Sequence, residues 1–91
     1  MTHEEFSKIR SLDTAIRRGS KVLEELVKYK ADKTKQGMMV VLNHETRRTV
    51  IDIVFPEIEN EVIALLEQRY NNLMSMWVQE LNNMRRINDG H

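Results

Sequence analysis

The chain contains no cysteine, which excludes a disulfide framework, a zinc ribbon and a thiol nucleophile. It has three glycines, none clustered, and a single proline, so no glycine-rich phosphate loop can be drawn. No excess of either charge exists: 14 basic residues meet 14 acidic ones, for a formal net charge of zero. That balance speaks against a general nucleic-acid reader, which carries a basic stripe. The longest wholly apolar runs, Met38 to Leu42 and Val62 to Leu66, fall far short of the ~20 residues that a bilayer span needs. The opening MTHEEFSKIR is polar and lacks a hydrophobic signal core. A cytoplasmic protein with no membrane segment is the expectation.

Catalytic chemistry is equally sparse. Ser7, Ser11, Ser20 and Ser75 fall inside helical patterns rather than at a nucleophile elbow. His3, His44 and His91 have no His or Cys three or four residues away, so no metal site is expected. An acid/base pair of Asp52 with His44 can be drawn, but an exposed Asp52 on a strand edge is the plainer reading. The expectation is a non-enzymatic protein with no cofactor and no metal.

What is present is pattern. Thr2 and Glu5 have the spacing of a capping box. Ile9, Leu12, Ile16, Gly19, Leu23 and Leu26 follow at alternating three- and four-residue steps, a heptad seam. Ala15, Val22 and Tyr29 form a second stripe beside it, so the apolar face is wide. Gly19 on the seam signals either a kink or a close helix crossing. KADKTKQG, residues 30–37, is polar and aperiodic. Residues 38–55 then alternate with a β-branched bias, which predicts a hairpin with a loop of about four residues near Asn43–Thr46. Pro56 suits the first turn of a helix. Beyond it Ile58, Val62, Leu65, Leu66, Tyr70, Leu73, Met74, Trp77, Leu81 and Met84 recur at helical spacing.

The predicted fold is α+β and mainly α, in the order helix, strand, strand, helix, within one domain spanning residues 1–91. Its parts are a helix over about 3–30, a loop over 31–37, a hairpin over 38–55, a helix over about 56–86 and a tail over 87–91. Two helices of that length carry more apolar face than so short a chain can bury. The expectation is therefore a dimer or higher homo-oligomer built as a helical bundle. Ile9, Leu12, Ile16, Leu23, Leu26, Leu73, Trp77 and Leu81 are its expected interface. Met76 falls off the main stripe of the second helix, which favours a second buried face there. Met38, Met39, Met74 and Met76, with Trp77, suit either a core and self-interface or an adaptable peptide groove.

Between the two strands lies NHETRR, residues 43–48. His44, Thr46, Arg47 and Arg48 bring guanidinium, imidazole and hydroxyl donors to one turn, a set suited to phosphate or carboxylate. The same residues also suit a solvated hairpin tip that guards a strand edge. Arg10 and Arg17 share a helix face, with Lys21 beyond. Surface ion pairing is the plain account of them and an anion site the alternative.

Two stretches, IRSLDTAIRRGSKVLEEL and TVIDIVFPEIENEVIALLEQRY, resemble small accessory proteins of phage and prophage genomes. Such proteins open with a capped heptad-like helix, pass through a short strand pair and close with a Glu-rich helix. The resemblance implies a non-enzymatic, oligomeric protein that binds something of the host, in some families a nucleotide signal and in others a defence protein. It assigns no residue a role.

Three readings follow. In the first, a homo-oligomer holds a small nucleotide-like anion between subunits. His44, Thr46, Arg47 and Arg48 contact its phosphate, and Tyr70, Tyr29 or Trp77 stacks on its base. In the second, the chain is an interaction module that inhibits a host protein. In the third, it is a purely structural assembly component.

Overall fold

The computed structural model describes the backbone of residues 2–89 and the side chains of residues 2–86. Four elements follow one another: α1 (His3–Ala31), β1 (Met38–Asn43), β2 (Arg48–Ile53) and α2 (Pro56–Asp89). The order is the expected one, with α2 extending through Asp89 instead of giving way to a tail after residue 86. Gly90 and His91, the end of that expected tail, lie outside the described residues.

Local chemistry sets each boundary. The Thr2 hydroxyl accepts from the Glu5 amide at 3.1 Å, and the Glu5 carboxylate accepts from the Thr2 amide at 3.4 Å. This reciprocal box satisfies two of the orphan donors at the start of α1. Glu4 and Glu5 lie in the first turn and Lys28 and Lys30 in the last, each at the favourable end of the helix dipole. The helix stops at Asp32, whose backbone is extended. The Asp32 carboxylate accepts from both the hydroxyl and the amide of Thr34, at 2.6 and 2.8 Å. Those two bonds favour its charged form and hold its pKa below the ordinary value. Gly37 has φ of +129°, a conformation open to glycine alone, and it turns the chain into β1.

The strands pair antiparallel, from Met38 opposite Ile53 to Asn43 opposite Arg48. The loop is His44–Arg47, closed by the His44 amide donating to the Arg47 carbonyl at 2.7 Å. It has the expected length and sits one residue further along than expected. Opposed residues share a face, so Met38, Val40, Leu42, Thr49, Ile51 and Ile53 make one almost wholly apolar side. Val54 and Phe55 lie beyond the strand. The Phe55 carbonyl accepts from the Ile58 and Glu59 amides at 3.1 and 3.0 Å, and Pro56 opens α2 without a donor to waste.

The helices lie antiparallel, as their cross-links show. Lys8 near the start of α1 pairs with Glu80 late in α2 at 2.7 Å. Lys30 at the end of α1 reaches both Glu67 oxygens, at 3.0 and 3.1 Å. The Tyr29 hydroxyl donates to Glu59 at 2.8 Å. Midway, α1 runs unbroken through Gly19, which is buried against α2. Of the two readings of Gly19, the close crossing is the one realised.

Among the described residues, Leu12, Leu26, Ile63 and Leu81 are the buried apolar side chains. The radius of gyration is 17.6 Å, within extents of 55 × 35 × 18 Å. A compact chain of this length would have about 12 Å. One helix pair with a projecting hairpin thus leaves much of its apolar surface uncovered.

Candidate functional site

The hairpin tip is the site that the sequence puts forward first. His44, Glu45, Thr46, Arg47 and Arg48 are all exposed. Arg47 and Arg48 hold no ion pair among the described residues, so their guanidinium groups are available to an anion. Asp52 is opposite Met39 near the base of the hairpin, whereas His44 follows Asn43 at its tip. Five strand residues separate those levels, roughly 17 Å at ~3.3 Å each, so Asp52 and His44 form no acid/base pair.

Tyr70 is elsewhere. It lines an open groove of about 620 Å³ between α1 and α2, shared with Trp77, and no tip residue lines that groove. Within one chain the ring and the tip donors assigned to one ligand are therefore in different places.

The groove has its own logic. Its α1 wall is Ser7, Arg10, Ser11, Thr14, Ala15, Arg18 and Gly19, an unbroken helical stripe at three- and four-residue steps. Its α2 wall is Tyr70 and Trp77, two turns apart on one face. The floor is small because the helices meet there: a Cβ built on Gly19 would lie 2.6 Å from Met74 Sδ and 3.4 Å from Trp77 Cζ3. The only charged residues of the lining are Arg10 and Arg18. Arg17, by contrast, is turned away and pairs with Asp13.

Arg10 and Arg18 were not legible as partners of Tyr70. The polar stripe can be read off the sequence, and so can the seven-residue spacing of the two rings. Only the helix pairing brings those faces together.

The expected interface residues divide. Leu12, Leu26 and Leu81 are buried within the single chain, and Ile9, Ile16, Leu23, Leu73 and Trp77 are half-buried there. The α1 seam is thus largely spent on the chain's own α2. The uncovered surface lies on other residues. Ile58, Leu65 and Met76 are 45%, 58% and 63% exposed. Their separations of seven and eleven residues place them within about 20° of one line along α2. Met76 falls in line with Ile58 and Leu65, and the second buried face expected there is not formed within the single chain. On the apolar side of the hairpin, Leu42 and Ile51 are exposed as well.

At the hairpin base a further open depression runs between Tyr29, Met38, Ile53 and Glu59. Of its two acidic residues, Asp52 and Glu59, the second is already engaged by the Tyr29 hydroxyl. Burial, and then that bond to Glu59, raise the Tyr29 pKa above its ordinary value. Lys35 sits 5.3 Å from the centre of the Tyr29 ring. Among the described residues no three His, Cys, Asp or Glu side chains gather to hold a metal ion, and no helix is long and apolar enough to cross a membrane.

No family model, curated protein or solved structure matches the chain.

Proposed function

We propose that this chain is a non-enzymatic, homo-oligomeric binding protein of the phage-accessory type, and that it takes a small nucleotide-like anion. The observation that carries the assembly is an area. The accessible surface is 7664 Å², where a folded monomer of 10.8 kDa exposes about 5,500 Å². The excess is about 2,100 Å² per chain, or about 4,200 Å² for two, within the range of obligate homodimers. The stripe Ile58, Leu65 and Met76 and the apolar side of the hairpin are where a second copy has most to cover. A two-stranded hairpin is marginal by itself, so assembly also supplies what β1 and β2 lack.

The anion follows from the donors. Unpaired arginines occur at the tip and in the interhelical groove, and guanidinium forks match phosphate. The resemblance of the sequence to phage accessory proteins supports sequestration of a host nucleotide as the biological use. Sedimentation velocity tests the assembly. A mass of twice 10.8 kDa or more at micromolar concentration is expected, and a stable lone chain would overturn it.

A second reading rests on the unpaired outer edges of β1 and β2. An extended segment of a host defence protein can add to such an edge. In that case the isolated chain would associate weakly with itself and tightly with one partner.

A further inference from the structure

Resting on the anion-binding reading above, we infer that the nucleotide site is the interhelical groove between Arg10, Arg18, Tyr70 and Trp77, rather than the hairpin tip. Charge is the first ground. The protein as a whole is neutral, yet two arginines and no acidic residue line the groove. Neither arginine has an ion-pair partner among the described residues, which is equally true of Arg47 and Arg48 at the tip.

Geometry is the second ground. Arg10, Thr14 and Arg18 stand at successive four-residue steps on α1, so the two arginines are about 12 Å apart along the axis. Each side chain is long enough to swing toward the level of Thr14 between them. A phosphate there meets two charged forks and the hydroxyls of Ser11 and Thr14. Across the groove Tyr70 and Trp77 are about 10.5 Å apart along α2 and offer ring surface at two levels. Base–aromatic stacking needs no particular base edge. A ligand that joins a planar ring to phosphate satisfies both walls at once. The tip supplies the charge without the ring.

Size is the third ground. A groove of about 620 Å³ falls within the range of small-molecule sites. It is open on one side, which a neighbouring copy can close.

Trp77 is the only tryptophan, so its fluorescence reports on the groove directly. The full chain is titrated with ATP and with cyclic di-AMP, and in parallel with tripolyphosphate and with adenosine. Saturable quenching by at least one of the nucleotides is expected, with weaker binding of tripolyphosphate and of adenosine. Arg10→Ala with Arg18→Ala is expected to weaken nucleotide binding about tenfold or more, as loss of charged hydrogen bonds does. Helix content and oligomer mass should be retained. Arg47→Ala with Arg48→Ala is expected to leave affinity unchanged. If the unaltered chain gives neither quenching nor calorimetric heat with either nucleotide, the anion-binding reading falls and the groove with it. If binding occurs but survives loss of Arg10 and Arg18, the groove is wrong while anion binding stands.

Discussion

Gly19 and Met74 leave each other no spare room: a single methyl group added to the glycine would come within 2.6 Å of the methionine sulfur. The crossing of α1 and α2 is set there, and the glycine is the reason the two helices approach so closely. In an open helix Gly→Ala gains about 1 kcal/mol. Here the flexible Met74 side chain must first swing its thioether aside, which offsets part of that gain. Gly19→Ala is therefore expected to raise the thermal midpoint, followed by circular dichroism, by less than the same substitution does in a Met74→Ala background. Equal increases in the two backgrounds would mean that Met74 does not press on the glycine.

A few buried side chains hold the helix pair, and its ion pairs add little. Lys30 with Glu67 is a well-formed contact between the helices, but it is solvent-exposed, and such pairs contribute about 0–1 kcal/mol. Leu81 is 6% exposed, and truncating a buried leucine costs about 2–5 kcal/mol. Urea unfolding of Glu67→Gln and Leu81→Ala should show that ranking. Comparable losses would contradict it.

The link from Tyr29 to Glu59 gives stability a dependence on alkaline pH. Burial and the carboxylate raise the Tyr29 pKa in the folded chain. The protonated phenol therefore favours the native state, fully so below the unfolded pKa of about 10. That contribution is lost as pH rises through the higher folded value. Unfolding free energies measured from pH 8 to pH 11 should fall more steeply for the native sequence than for Tyr29→Phe. Parallel curves would dissociate the tyrosine from the effect.

Assembly is expected to depend on the outer stripe of α2. Leu65→Glu combined with Met76→Glu should reduce the sedimenting species to a single chain while far-ultraviolet dichroism remains helical. Asn82→Glu, at an exposed position roughly 100–120° around the helix from that stripe, adds a charge away from it and should change the mass little. If the stripe variant keeps its oligomeric mass, the copies meet through another face.

The sequence announces its elements because each carries local chemistry. Thr2 with Glu5 marks one helix start and Pro56 another. The alternation of Met38–Asn43 against Arg48–Ile53 marks the strands. The pairing of faces is not local, and there the residues alone leave the outcome open. Leu12, Leu26 and Leu81 have the spacing of a seam between copies, yet α1 and α2 bury them within one chain. Periodicity records that a face is covered and carries no information about what covers it. Gly19 left two outcomes open for the same reason, since only the positions of Met74 and Trp77 decide between a bend and a crossing. Tyr70 was grouped with Arg47 and Arg48 by chemistry alone, and the helix pairing puts it opposite Arg10 and Arg18.

Met39 and Met76 are 65% and 63% exposed, and each carries a thioether on an uncovered face. Peroxide converts such a side chain to a polar sulfoxide that no longer suits an apolar contact. On Met76 the oxygen would land on the stripe where copies are proposed to meet. Oxidative stress would thus act first on the dissociated chain and hinder its return to the oligomer, so that dilution and oxidation reinforce one another.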